Sequence, residues 1–143
     1  MIDAVITRLK AEVSDFSNRI EGAAEFAALM RANALPQVTP AAHILPLGLR
    51  GGRGEAGAGA FTQDVEEVVA VLITLRAHSR TGREALPDLA ALTKQVIAAI
   101  AGWGPDEAIG VFRLSRGQLV SMSAGTILYQ LDFAINDQLR ILS

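Results

Sequence analysis

Ile2, Val5, Ile6, Leu9 and Val13 recur at helical spacing, with Asp3, Arg8, Lys10 and Glu12 elsewhere on the wheel, so the chain opens with a predicted amphipathic helix. A short extended piece at 18–21 leads into a second helix, where Phe26, Leu29 and Met30 keep helical spacing until Pro36 and Pro40 end regular structure. Residues 41–49, AAHILPLGL, place Leu45, Leu47 and Leu49 on one parity with Pro46 between them. Proline has no N–H to donate, so this strand either runs at an edge or bulges there. Residues 65–77 are apolar on both parities, Val69, Val71, Ile73 and Leu75 on one and Val68, Ala70 and Leu72 on the other, the pattern of a strand inside a sheet.

Thr81 and Glu84 form a T-x-x-E capping box ahead of the longest helical stripe, Leu86, Leu89, Leu92, Val96, Ile100 and Trp103. Pro87 marks either its first turn or a kink, and Gly102, Gly104 and Pro105 close it. The remainder reads as strand. Segments 111–115 and 118–122 flank a tight turn at Arg116-Gly117, and a second turn follows at 123–125. Ile127, Tyr129, Leu131, Phe133 and Ile135 then alternate with Leu128, Gln130, Asp132, Ala134 and Asn136 in the cleanest period of two in the chain.

This order predicts an α+β fold: a mainly antiparallel sheet with a hairpin and a C-terminal meander, and helices packed on one side. At 143 residues the chain has the size of one domain, 1–143, interrupted only by a flexible glycine-rich loop at 50–60. A net charge of −2 argues against a broad basic face gripping nucleic acid. The absence of cysteine excludes disulfides, thiolate nucleophiles and cysteine-ligated metals, and fits a reducing compartment. Charges interrupt the first residues, MIDAVITRLKAEV, so no signal peptide is expected. The longest strongly apolar run, VVAVLITL at 68–75, falls far short of the roughly 20 residues of a membrane helix. The expectation is a soluble chain with no membrane partner.

Residues 50–60 read RGGRGEAGAGA, and Gly52, Gly54 and Gly57 satisfy the G-x-G-x-x-G pattern of a dinucleotide site. Such a site needs a preceding strand, a helix opening at the motif and an acidic residue about 20 positions on. Only the strand is expected here. Asp64, Glu66 and Glu67 come too early, no helix N-terminus faces a pyrophosphate, and no Lys-Ser or Lys-Thr pair supplies a P-loop. The segment therefore reads as a mobile connection between paired strands, long for a hairpin.

His43 shares parity with Leu45 and Leu47 and reads as a satisfied strand residue, while His78 lies among Arg76, Arg80 and Arg83, whose charges oppose a metal ion. There is no G-x-S-x-G elbow, and Ser121 and Ser123 read as turn residues. Asp132 and Asp137 are conceivable as an acid/base pair, but Asp132 on the polar parity is more simply a solvated or interface residue. No catalytic residue, metal or cofactor is assigned, and no enzyme is expected.

Two features ask for explanation: the loop of Arg50, Gly51, Gly52, Arg53, Gly54 and Glu55, and the polar strip Gln130, Asp132, Asn136 and Gln138 on the final strand. The strip suits a wet subunit interface or a channel wall, and equally a plain solvent face.

Three stretches, RIEGAAEFAALMRANALPQVTPAAHILPLG (19–48), AIAGWGPDEAIGVFRL (99–114) and RGQLVSMSAGTILYQLDFAINDQLRI (116–141), carry a resemblance to the tail terminator proteins of long-tailed bacteriophages and prophages. The resemblance implies a one-domain structural subunit that assembles, usually as a hexamer, on the head-proximal end of the tail tube. It implies as partners further copies of the chain, the major tail tube protein and the head–tail connector, with DNA passing through the lumen without sequence readout. The family has no motif of functional residues to carry over. On the residue pattern alone, the Arg50 loop is assigned as the flexible part that orders against the tube, and the final strand as ring interface or lumen wall. The alternatives are another tail-completion or connector subunit, a small ferredoxin-like ligand-binding or enzyme subunit with a split β-α-β core, and, on GRGEAG alone, a nucleotide-dependent enzyme.

Overall fold

The computed structural model describes residues 1–77, 83–123 and 125–142. His78 and the Thr81 capping residue lie outside them. The first helix, α1 (Ile2–Glu12), carries Asp3 in its first turn and Lys10 in its last, the arrangement that complements the helix dipole. It buries Val5 and Leu9, and Val13 and Phe16 continue the same stripe through a single 3₁₀ turn, Ser14–Phe16. Ser17 and Asn18 then take positive φ, which turns the chain into β1 (Ile20–Glu21). Helix α2 (Ala23–Arg31) follows and buries none of its residues fully.

Three strands of seventeen residues dominate: β2 (Ala41–Gly57), β3 (Ala60–Arg76) and β5 (Thr126–Leu142). With α3 (Leu86–Ile100) and β4 (Arg113–Ser123) they complete one sheet in the order β1-β2-β3-β5-β4, antiparallel except for the β1–β2 pair. The fold is α+β, as the element order predicts. Pro87 lies in the first turn of α3 rather than at a kink, where its missing N–H costs nothing.

Because side chains alternate across a strand, one sheet face presents Ala42, Ile44, Val69, Val71, Ile73, Leu75, Ile127, Leu131, Phe133 and Ile135. Helices α1 and α3 cover this face, with Leu89, Leu92, Val96, Ile100 and Phe16 packed into it. Each such side chain contributes about 1.5–3 kcal/mol by leaving water. Helix α2 differs. Its Phe26 ring lies 5.3 Å from the ring of His43, on the parity of β2 opposite to Ala42 and Ile44.

Three sequence expectations change. The loop at 50–60 is strand: β2 runs to Gly57 and pairs with β3 down to Gly57 and Ala60, leaving only Ala58 and Gly59 to turn. Both take positive φ, 49° and 80°, the requirement of the tight turn whose twist suits a hairpin. Arg116-Gly117 is not a turn either, so the meander has one strand fewer. β4 is continuous and bulges twice, between Leu114 and Arg116 and between Leu119 and Ser121, because each extra residue can be absorbed against an unbroken β5. Lastly, β1 and β2 are direct parallel neighbours, so no strand is inserted between them as the split β-α-β of a ferredoxin-like core requires. At Pro46 the edge and bulge expectations both hold: β1 reaches only Ala42 and His43, and the register shifts between Pro46 and Gly48.

Candidate functional site: an uncovered three-stranded arm

The helices cover only part of the three long strands. Beyond Leu49, Glu67 and Ile135, which lie side by side, β2, β3 and β5 run on as an arm whose far end pairs Gly57 with Ala60 and Ala60 with Leu142. Register sorts its side chains. Leu49, Phe61, Val65, Leu139 and Ile141 share the parity of the helix-covered core face with Gln63, Glu67 and Asp137, and Arg50, Glu55, Thr62, Asp64, Glu66, Asn136, Gln138 and Arg140 share the other with Leu142. Of the apolar members of the first set Val65 is buried, whereas Leu49, Phe61, Leu139 and Ile141 are open: Leu49 is 68% exposed and Ile141 57%. The arm thus carries most of its exposed apolar side chains on the helix side, where no described helix covers them.

The glycines of β2 have a packing reason. A Cβ on Gly54 would lie 2.9 Å from the tip of the Phe61 ring, and one on Gly51 would lie 2.8 Å from the Gln63 amide nitrogen. Both long side chains of β3 therefore lie across β2 where β2 has none, and Gln63 donates from Nε2 to the Gly52 carbonyl at 3.1 Å. An aromatic ring over a strand glycine shields backbone that would otherwise be bare. Between Gly51 and Gly54 the register slips by one residue, a bulge within Gly52 and Arg53. Since GRGEAG is paired strand and no helix begins after it, it cannot cradle a pyrophosphate on a helix N-terminus. A cleft of about 680 Å³ does border it, between the arm and the loop at Ile109, but its walls include Asp64, Glu66 and Asp137, which repel phosphate.

The two groups of candidate residues meet on this arm. Arg50 sits opposite Glu66 and Glu66 opposite Asn136, while Glu55, Thr62 and Arg140 form the next row but one on the same face. Arg113 of β4 forms an ion pair with Glu66. The strip on β5 divides. Asn136 and Gln138 are exposed on the arm, whereas Asp132 is only 7% exposed. Gln130 donates to its Oδ1 at 2.8 Å, and the Arg116 Nε lies 4.0 Å from its Oδ2. Asp137 has the opposite parity to Asp132 and accepts from the Ile109 amide at 3.3 Å, so the two aspartates do not form an acid/base pair. Ser121 and Ser123 lie within β4 rather than at a turn.

His43 departs from its expected role as a satisfied residue. It is 3% exposed, and its Nδ1, like the hydroxyl of buried Thr74, has no hydrogen-bond partner among the described residues. Burial lowers its pKa below the ordinary value of 6.5, partly opposed by the nearby carboxylates Glu21 and Glu25. No group of three or more His, Asp or Glu side chains suited to a metal ion occurs among the described residues, and none of their helices is long and apolar enough to cross a membrane. The residues that sequence reasoning overlooked are Phe61, Leu139 and Ile141. On β5 the parity of Ile135 is interrupted by Asp137 before it resumes at Leu139 and Ile141, and a repeating apolar parity does not say where its covering helices stop.

The described structure is a single sheet whose most conspicuous feature is an arm that runs on beyond its helices. The family model for the phage tail terminator protein matches residues 2–142, and the chain belongs to that family. It is accordingly a structural protein of the bacteriophage tail and a component of the virion. A search of curated proteins finds no match.

Proposed function

We propose that the protein forms a ring on the head-proximal end of the completed tail tube, ends tube polymerisation there, and offers its outer surface to the head–tail connector. The observation that carries this reading is the arm, a paired three-stranded projection that no described helix covers. Its polar face, with Arg50, Arg53, Glu55, Asn136 and Gln138, takes the contact with the tube. Gln130 and Asp132, closed over by Arg116, hold β5 firm behind that surface. A ring multiplies modest contacts through avidity, so a small mixed-charge face is sufficient. The net charge of −2 suits a lumen that lets DNA pass without gripping it.

The test is polymerisation of purified tube protein with and without this chain, read by electron microscopy. Short tubes carrying a ring at one end are expected, and the paired reversal Arg50→Glu with Arg53→Glu is expected to lengthen them while leaving the protein folded. Identical length distributions with and without the protein would overturn the termination reading.

A further inference from the structure

Exposed apolar side chains of helix-side parity fall in two separate places. One is the arm, with Leu49, Phe61, Leu139 and Ile141. The other is β4, where Leu114, Leu119 and Met122 sit opposite Phe133, Tyr129 and Ile127 and so face the same way, each more than 40% exposed. The two cannot cover one another within a chain. β4 pairs only with the stretch of β5 from Thr126 to Ala134, and the arm begins beyond it. The chain also exposes 8299 Å², where a compact monomer of 15.1 kDa exposes about 7,100 Å². The surplus, about 1,200 Å², is of the order of the roughly 1,600 Å² that a subunit gives to two standard interfaces, one on each side.

We propose that the apolar face of the arm of one subunit lies on β4 of the next copy of this chain, with Phe61 and Ile141 against Leu119 and Met122. This rests on the ring reading above and identifies the contact that closes the ring. A second copy is the occupant that accounts for both patches at once, since each subunit gives an arm to one neighbour and receives one from the other. A tube subunit seated on the arm would leave β4 bare. Contact between two different patches is heterologous, and heterologous contacts whose rotation closes make rings. The division of labour follows from the register: the side of the arm that carries Leu49, Phe61, Leu139 and Ile141 joins copies, and the side that carries Arg50, Glu55 and Gln138 is free for the tube.

Because the chain has no cysteine, engineered pairs report the contact without background. The doubly substituted chain Leu119→Cys with Ile141→Cys, oxidised with the protein at ring-forming concentration or seated on tubes, is expected to give a ladder of linked species running past the dimer. Each single variant is expected to give none. Ile141→Asp, with an unchanged melting temperature, is expected to raise the concentration needed for rings at least tenfold. Dimers from either single variant would reveal a self-contact and overturn the proposal. So would cross-linking of Ile141→Cys to tube protein, or rings that form normally with Ile141→Asp and yield no ladder; in these cases the ring reading survives. A wild-type chain that forms no ring, free or on tubes, would remove the ring reading and this contact together.

Discussion

Phe133 and Ile141 lie on the same strand and the same parity, eight residues apart, yet the first is completely buried and the second 57% exposed. The covered half of the sheet and the arm have the same strands, the same pairing and the same alternation. They differ in what lies above them. Over the covered half, α1 and α3 turn alternation into a core; over the arm, no described helix does. Backbone ladders shape the arm, but each hydrogen bond nets only about 0.5–1.5 kcal/mol, so its local stability depends on cross-strand packing such as Phe61 over Gly54. On the assembly proposed above, the part of the sheet extended beyond its helices is the surface that another molecule covers, since open apolar patches often mark interaction sites.

The strongest way to sharpen the contrast is truncation of the same face at both ends. Phe133→Ala is expected to destabilise the monomer by about 3–5 kcal/mol in urea titration, whereas Ile141→Ala should fall within about 0.5 kcal/mol. Equal losses would mean that the arm is held as part of the core. Gly110→Ala comes next, because its Cβ would press on the Asn136 carbonyl where β5 passes from core to arm. A cost of about 1–3 kcal/mol is expected from overpacking, with faster hydrogen exchange beyond Asn136 than before it.

The covered half should also show a pH dependence that arises from His43. His43 is held neutral by burial below its ordinary pKa of 6.5, so as pH falls the unfolded chain takes the proton first. Stability is therefore complete above about pH 6.5 and declines as pH drops toward the native pKa, by up to about 1.4 kcal/mol per unit. His43→Gln should flatten that slope in melting curves from pH 7 to 5; an unchanged slope would assign it to other groups. The smallest effect is expected at Gly54→Ala. The added methyl displaces the Phe61 ring, loosening amides of 54–63 in hydrogen exchange while changing global stability by about 1 kcal/mol or less.

Much of the covered half was legible in the chain. The stripe from Leu89 to Ile100 and the alternation from Ile127 to Ile135 are each long enough to name their element, and their apolar faces are those the core uses. The glycine run was not legible, because glycine density signals a flexible loop wherever nothing is known of the neighbouring strand. Here that neighbour supplies Phe61 and Gln63, which need bare backbone beneath them. Arg116-Gly117 misled for a related reason: a turn dipeptide inside an unbroken ladder becomes a bulge. The polar strip on β5 was found as a unit, yet Asp132 ended beneath Arg116 and Gln138 in the open.

Local periodicity was sufficient to establish helix or strand over the long apolar stretches and the mainly antiparallel character of the sheet, and composition alone established the lack of cysteine chemistry and a near-neutral charge. How far the helices reach along the strands, which glycines lie under a ring, and which arginine closes over Asp132 depend on contacts between residues tens of positions apart. Those contacts exist only once the strands are in register, and they are what divides one continuous sheet into a core and an arm.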